Sequence, residues 1–313
     1  MKSGGTSMEH WKEQWCALLP PKVSEVLKRL DDEAPLLEIR LRRDAPMELV
    51  FDRADRVVYG NNAVPMTTQD DIREIFLRLQ EFSAYAWENE RRDGFLTVHG
   101  CRVGLSGRMV RSEHGVLGFS NVTGLNIRIV REVIDCAKPL LPMLTDCGEL
   151  YPALLISPPG CGKTTLLRDL IRIASDGLYG LKVKRVAVAD ERFELTGAAD
   201  GSVAFDLGSR TDVLSGVTKA DAALRIVATL SPQVLAMDEL NTVRDAACVT
   251  EASGKGVVVL ATAHGRSWEG MQRRPYLRLL LKEHVFERYV FLEGVGKVAQ
   301  ILDAYGRRIE TSA

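Results

Sequence analysis

A glycine-rich loop near the middle of the chain constrains its fold more than any other feature. The loop follows a short apolar run, 153–156, and opens onto residues 166–170, which have helical apolar spacing. A strand, a glycine-rich loop and a helix in this order form a phosphate cradle, because the loop N–H groups and the positive helix N-terminus both face the anion. The nucleotide-binding residues predicted from this pattern are Ser157, Pro158, Pro159, Gly160, Cys161, Gly162, Lys163, Thr164 and Thr165.

Two side chains of this loop have predicted chemical roles. Lys163 is expected to reach the β- and γ-phosphates of a nucleotide, and the Thr164 hydroxyl is expected to ligate Mg²⁺. Gly160 and Gly162 allow backbone conformations that a Cβ would block. Ser157 stands where the usual G-x-x-x-x-G-K-[ST] pattern has its first glycine. A glycine turn that caps an ordinary helix is the alternative, and the flanking strand and helix make it the weaker interpretation.

A second motif further along the chain supplies acidic side chains. The apolar run 234–237 leads directly into Asp238 and Glu239, as in a buried parallel strand whose carboxyl end delivers charge to a site. Asp238 is predicted to hold Mg²⁺ through water, opposite Thr164, and Glu239 to orient and deprotonate the attacking water. A strand ending in a solvated acidic turn is the alternative. Together the two motifs predict a P-loop domain that hydrolyses ATP or GTP.

Two further predicted strands end in polar side chains. Glu191 belongs to a charged cluster that follows the strand 185–190, and clustered acids at such an edge suit the positioning of water or Mg²⁺. His264 follows the strand predicted at 257–262, two residues after Thr262, and could hydrogen-bond the γ-phosphate and report its loss. Ordinary solvated loops are the alternative in both cases.

Several arginines could act across a subunit boundary by neutralising charge on a neighbouring subunit's ATP. Arg210 is the first candidate, in a predicted polar loop beside Thr211 and Asp212. Arg225 on a predicted helix is the second, and Arg102 in the first half is the third. An exposed arginine in a salt bridge is the alternative for each.

Composition and charge exclude several classes of protein. The 313 residues carry a formal net charge of −1, which argues against a generally basic nucleic-acid binder. The cysteines are scattered without a C-x-x-C pair and the histidines lack metal-ligand spacing, so neither a disulfide framework nor a zinc site is expected. No apolar run resembles a secretion signal or approaches the roughly 20 residues of a membrane-spanning helix. The sequence therefore predicts a cytoplasmic protein.

The order of predicted elements divides the chain into two halves. The first half mixes short helices and strands, whereas the second alternates strand and helix as in a parallel sheet. First-half helices are predicted at 22–30, 68–79 and 84–91, and strands at 37–42, 48–51, 56–59, 95–98, 102–105 and 124–130. Second-half strands are predicted at 153–157, 185–190, 234–238, 257–262, 287–293 and 298–302, and helices at 164–175, 219–230, 243–253 and 275–282.

The phosphate loop with its flanks, 156–169, resembles that of the stage III sporulation protein AA family. The resemblance spans nearly the whole chain. It continues through Asp190-Glu191-Arg192, Arg210-Thr211-Asp212-Val213-Leu214, Asp238-Glu239-Leu240 and Thr262-Ala263-His264-Gly265, and in the first half through Glu38-Ile39-Arg40-Leu41-Arg42, Gly100-Cys101-Arg102-Val103-Gly104 and Asn126-Ile127-Arg128-Ile129.

This resemblance implies an ATPase of endospore formation that uses ATP and Mg²⁺. The family is similar to the hexameric secretion ATPases of type II and type IV systems, so a homo-oligomer, expected to be a hexamer, is implied. The implied partners are membrane proteins of the stage III sporulation AA–AH channel complex. The implied location is the mother-cell cytoplasm, peripheral to the membrane around the forespore, and the presumed role is to power that channel.

The sequence and the resemblance together predict an α/β protein with two domains. A smaller mixed α+β N-terminal domain, 1–138, precedes a RecA-like P-loop ATPase domain with a mainly parallel sheet, 139–313. Rival functions are a RecA-like motor that translocates nucleic acid, a kinase built on the same loop, and a nucleotide-gated assembly scaffold with little hydrolysis. The net charge makes nucleic acid the less favoured partner.

Overall fold

The computed structural model describes residues 7–30, 36–51, 54–57, 66–81, 94–99, 101–112, 115–130, 132–197, 203–294 and 296–309. The chain divides into two compact units. One comprises Met1–Glu132 with Gly197–Ala204, and the other comprises Val133–Thr196 with Phe205–Ala313. The sequence places its boundary slightly later, after residue 138.

The first unit is built on an antiparallel sheet with the strand order β4-β3-β1-β8-β7-β6. Its strands are β1 (Leu36–Arg42), β2 (Ala45–Pro46), β3 (Glu48–Phe51), β4 (Ala54–Val57), β5 (Met66–Thr67), β6 (Phe95–Val98), β7 (Cys101–Ser112) and β8 (Gly115–Arg128), with β2 and β5 forming a separate pair. Its described helices are α1 (Ser7–Leu18), α2 (Pro21–Lys28) and α3 (Gln69–Glu81). The helix predicted at 84–91 lies outside the described residues.

The long β7–β8 hairpin differs from the short strands that the sequence predicts. Gly107 and Gly118 lie inside the strands, with φ of 150° and 126°. A Cβ on Gly107 would stand 2.0 Å from the carbonyl oxygen of Asn121. These glycines therefore permit bulges and close backbone approach within continuous strands.

The second unit is built on a sheet with the order β13-β12-β14-β15-β11-β16-β17. Its strands are β11 (Ala153–Ser157), β12 (Val186–Asp190), β13 (Thr211–Ser215), β14 (Val234–Met237), β15 (Val258–His264), β16 (Arg288–Gly294) and β17 (Lys297–Leu302). All neighbouring pairs are parallel except β16–β17. A small hairpin, β9 (Thr145–Asp146) and β10 (Glu149–Leu150), lies outside this sheet.

Helices cover both faces of this parallel sheet. They are α4 (Leu141–Leu144), α5 (Lys163–Asp176), α6 (Lys219–Thr229), α7 (Val243–Gly254), α8 (Trp268–Gln272) and α9 (Pro275–Lys282). Alternate side chains of β11 show the two layers: Leu155 packs in the cluster that contains α5, and Leu154 in the cluster that contains the apolar faces of α6 to α9. Because β11, β12, β14 and β15 are buried on both faces, they read as apolar runs in the sequence.

Strand β13 corrects the sequence-based interpretation of its region. Thr211 and Asp212 were expected in a polar loop, but they begin a strand that pairs in parallel with β12, Val186 opposite Thr211 and Asp190 opposite Ser215. Among the described strands β13 is the outermost on its side. An edge strand is only partly buried, so it lacks the apolar run that identifies the central strands.

Candidate nucleotide site

The glycine-rich loop joins the carboxyl end of β11 to the first residue of α5. Gly160 and Gly162 have φ of 77° and 84°, in the left-handed region that favours glycine. Gly162 is the N-cap of α5, and no side chain caps this helix. A Cβ on Gly160 would meet nothing within 4 Å, so the space beside the loop is open. An uncapped helix N-terminus that faces open space suits an anion such as phosphate.

The ammonium group of Lys163 lies against its own loop. Nζ donates to the carbonyl oxygens of Ser157 and Pro158 at 3.2 and 3.0 Å and to the Ser157 hydroxyl at 3.1 Å. It also lies 3.3 Å from Nδ1 of His264. Burial lowers the pKa of Lys163, and the nearby Asp238 carboxylate opposes that change. The hydrogen bonds that Lys163 Nζ now donates to loop oxygens could therefore be donated to phosphate oxygens instead.

Thr164 and Asp238 are suited to share one cation. The Thr164 hydroxyl donates to Oδ2 of Asp238 at 2.8 Å, and the Thr262 hydroxyl donates to Oδ1. Adjacent ligands around an octahedral Mg²⁺ stand about 2.9 Å apart, which follows from Mg–O distances near 2.1 Å. The two oxygens thus fit neighbouring positions on one ion. Among the described residues no group of three or more His, Cys, Asp or Glu side chains could hold a metal alone, so the other ligands would be phosphate and water oxygens.

Glu239 is held in an unusual backbone conformation beside this pair. Its φ is 51°, and its N–H donates to the Thr262 hydroxyl at 2.8 Å and to Oδ1 of Asp238 at 3.0 Å. Its carboxylate lies 3.6 Å from Nε2 of His264 and 3.3 Å from Nη1 of Arg192. A left-handed non-glycine residue persists only where its surroundings fix it, and such residues cluster at functional sites.

Asp190, the last residue of β12, binds the backbone of the loop that follows this strand. Its buried carboxylate accepts hydrogen bonds from the N–H groups of Glu194, Leu195 and Thr196 and from the Thr196 hydroxyl. Burial raises the pKa of Asp190, and these bonds oppose the rise. Asp190 therefore shapes the loop that follows β12.

Replacing Asp190 with asparagine is expected to lower the free energy of unfolding by about 1–3 kcal/mol, since an amide NH₂ would face backbone donors that need an acceptor. Urea unfolding measures this difference. Asp212→Asn is the matched control, because Asp212 is exposed on β13 and should leave stability unchanged. Equal stability of the two variants would contradict the structural role of Asp190.

Glu191 follows Asp190 and contacts the start of α6. Its Oε2 accepts a hydrogen bond from the Lys219 N–H at 3.2 Å and lies 3.7 Å from Lys219 Nζ. A cavity at the carboxyl ends of β12 and β14 brings these side chains together. It is lined by Ala189, Asp190, Glu191, Arg192, Glu194, Lys219, Asp238 and Glu239.

Two of the candidate trans arginines, Arg210 and Arg225, belong to the second unit. Arg210 directly precedes β13, at the amino end of the sheet, and a five-residue strand separates that end from the carboxyl edge by roughly 16 Å. Arg225 is exposed on α6. Neither guanidinium has an ion pair or hydrogen bond with a described residue. In the first unit, Arg102 stacks over the Phe95 ring at 3.9 Å.

Two cations at the site were not predicted from the sequence as site residues. Arg192 contacts Glu239, and its position directly after the Asp190-Glu191 pair was an available signal. Lys219 begins a helix and reads as an ordinary exposed lysine, so nothing in the sequence marks it. The loop residues Pro158, Pro159, Cys161 and Thr165 form or follow the cradle, and the Cys161 thiol donates to the carbonyl oxygen of Pro159 at 3.8 Å.

Comparison with known families decides the classification. A model of the family described as Sporulation stage III, protein AA matches residues 9–311. This chain belongs to that family. It is 36% identical over 295 residues to Stage III sporulation protein AA of Bacillus subtilis (strain 168), covering 92% of this chain and 94% of that protein. The family predicted from the motifs is thereby confirmed.

Solved structures of a pilus retraction motor and of another ATPase share the fold. The pilus retraction motor PilT with bound ADP matches with a TM-score of 0.55 at 16% identity, covering 85% of this chain and 76% of its own. The ATPase DotB of Legionella pneumophila matches with a TM-score of 0.52 at 12% identity, covering 88% and 75%. At these identities the likeness shows the fold alone, and it confirms the predicted P-loop ATPase fold with an N-terminal domain. Within the described part of the chain, no helix is long and apolar enough to cross a membrane.

Proposed function

We propose that this protein binds and hydrolyses ATP with Mg²⁺ during endospore formation. The observation that carries the proposal is the convergence of Lys163, Thr164, Asp238, Glu239 and His264 at the start of an uncapped helix. Membership of a sporulation family and the secretion-ATPase fold support the cellular process and the reaction class.

Each side chain has a role that follows from its position. The Lys163 ammonium would exchange loop carbonyl oxygens for β- and γ-phosphate oxygens. Thr164 and Asp238 would hold Mg²⁺, which supplies positive charge to the phosphates as the γ-phosphoryl group is transferred. Glu239 would orient a water molecule and accept its proton, because its carboxylate is beside the metal pair. His264, within 3.3 Å of Lys163 Nζ, would contact the γ-phosphate and register its departure.

Phosphate release from ATP·Mg²⁺, measured together with molecular size, tests the proposal. Turnover in the wild type that requires Mg²⁺ supports it. Binding of ATP without phosphate release would favour the nucleotide-gated scaffold instead. Stimulation by polynucleotide that falls steeply with salt would favour the nucleic-acid motor.

We further propose that the protein works as a homo-oligomer, expected to be a hexamer, in the mother-cell cytoplasm. Its proposed partners are the membrane proteins of the stage III sporulation AA–AH channel complex, which it would power from the membrane periphery. The family assignment supports this proposal.

A mixing experiment tests whether ATP sites are shared between subunits. Arg210→Ala and Glu239→Gln are each expected to be inactive alone, since one lacks a charge donor for the neighbouring site and the other lacks the water-activating group. In random mixed rings about a quarter of interfaces carry both wild-type groups, so a one-to-one mixture should recover up to about a quarter of wild-type phosphate release. Arg225→Ala takes the place of Arg210→Ala in a second mixture. Monomers with ATP and no recovery in either mixture would contradict the ring.

A further inference from the structure

Lys219 is a buried cation for which the fold alone gives no reason. It is the first residue of α6 and 5% exposed. The helix does not depend on its side chain, because Thr218 caps α6 by accepting a hydrogen bond from the Asp221 N–H. Burying an ammonium group is unfavourable unless opposite charge compensates it. Its position therefore calls for an explanation in the cavity that it lines.

The compensating charges come from two different elements. Lys219 Nζ lies 3.7 Å from Oε2 of Glu191 and 4.0 Å from Oδ2 of Asp245, and it makes no hydrogen bond with a described residue. Asp245 is itself 3% exposed, on the first turn of α7. The ammonium group thus lies between two carboxylates, beyond hydrogen-bond distance of both.

The second carboxylate leads to the segment that carries Glu239. Oδ2 of Asp245 accepts hydrogen bonds from the N–H groups of Asn241 at 3.1 Å and Thr242 at 3.0 Å. These residues follow the Asp238-Glu239-Leu240 sequence directly. Lys219 therefore connects the loop after β12, which carries Glu191, with the turn after β14, which carries Glu239.

The charge balance of the cavity explains why a cation is needed there. Carboxylates predominate in its lining, from Asp190, Glu191, Glu194, Asp238 and Glu239, whereas the cations are Lys219 and Arg192. Arg192 is held by Glu239. Carboxylates that share a small cavity repel one another. Without the ammonium group, Glu191 would be held only by the backbone N–H of residue 219, among carboxylates that repel it.

We propose that Lys219 is a positioning residue for ATP hydrolysis, which fixes Glu191 at the cavity and links it to the turn that carries Glu239. The inference rests on the proposed function, and it deepens the account of the same site. Lys219 acts through Glu191 and does not touch the nucleotide. Glu191, which lines the same cavity as Glu239, would in turn help to orient the water molecule that Glu239 activates.

A double-mutant cycle separates this role from a structural one. Lys219→Met keeps the apolar stem and removes the charge, and it is expected to lower kcat by about 10–100-fold with KM for ATP little changed. Glu191→Gln should lower kcat similarly. The double variant should be no slower than Glu191→Gln, because both changes disable one unit. Lys219→Arg should recover part of the turnover. Lys255→Met is the matched control, since Lys255 is exposed and pairs with Glu251 at 2.7 Å.

The inference would be overturned if the fold-reduction in kcat of the double variant equalled the product of the two single fold-reductions. If Lys219→Met does not fold in a urea titration, Lys219→Gln, which also removes the charge, replaces it in the cycle with the same expected and contrary results. A wild type without phosphate release overturns the proposed function, and the inference with it. An active wild type with independent effects overturns the inference alone.

Discussion

Replacing Glu239 with glutamine is expected to slow ATP turnover by about 10²–10⁴-fold while ATP stays bound. Glutamine keeps the shape of the side chain and its hydrogen bond to Arg192, but it cannot accept a proton from water. The Glu239 N–H bonds to Thr262 and Asp238 involve only the backbone, so the turn should persist. Phosphate release gives the turnover, and a fluorescent ATP analogue gives the affinity.

Glu283→Gln is the control for this substitution, because Glu283 is exposed at the end of α9. It should behave as the wild type in both assays. The Glu239→Gln variant should also accumulate whichever assembly ATP favours, which size analysis detects. Normal turnover in Glu239→Gln would transfer the water-activating role to another carboxylate, with Glu191 as the first candidate.

Replacing Lys163 with alanine is expected to abolish measurable ATP binding and to lower turnover by at least about 10²–10³-fold, as for loss of one preorganised donor to a charged transition state. The free protein should remain folded. Nζ of Lys163 donates to two loop carbonyl oxygens and to the hydroxyl of Ser157, and it lies 3.3 Å from Nδ1 of His264, while burial lowers the pKa of the ammonium group. Removing it therefore also removes an unfavourable desolvation.

Equilibrium binding measures the affinity of the Lys163→Ala variant for ATP, and a thermal unfolding curve measures whether the variant remains folded. Lys255→Ala, an exposed lysine at the end of α7, should bind ATP normally. Unaltered ATP affinity in Lys163→Ala would contradict the assignment of the glycine-rich loop. If Lys163→Ala neither bound ATP nor folded, Lys163 would be needed for the fold, contrary to the prediction.

The parallel sheet could be predicted from the sequence because its central strands are buried on both faces. The strand predicted at 153–157 matches β11, and the helix predicted at 243–253 matches α7 to within one residue. The helix predicted from residue 68 begins with a capping box, in which the Asp71 carboxylate accepts from the Thr68 N–H at 2.6 Å and the Thr68 hydroxyl accepts from the Asp71 N–H at 3.2 Å. Apolar runs and caps are local signals, so they survive without knowledge of the fold.

Other features depend on contacts between distant parts of the chain. Strand β13 pairs at the edge of the sheet, and its side chains are too polar to identify it. The close approach of the Gly107 and Asn121 backbones across the hairpin is also invisible in the local sequence. At the site, the motifs mark Lys163 and Glu239, but the lysine at the start of α6 acquires meaning only when Glu191 and Asp245 lie beside it.

The bonds between Lys163 and its own loop have a consequence for what the site can select. Without a ligand the ammonium group is already satisfied, so nucleotide entry is an exchange of hydrogen bonds. Each exchanged bond changes the free energy by only about 1 kcal/mol. A free phosphate ion gains little from such an exchange, whereas a nucleotide adds contacts from its other phosphates and from the cation between Thr164 and Asp238. We therefore expect the loop to bind a nucleotide with its cation more tightly than it binds a small anion.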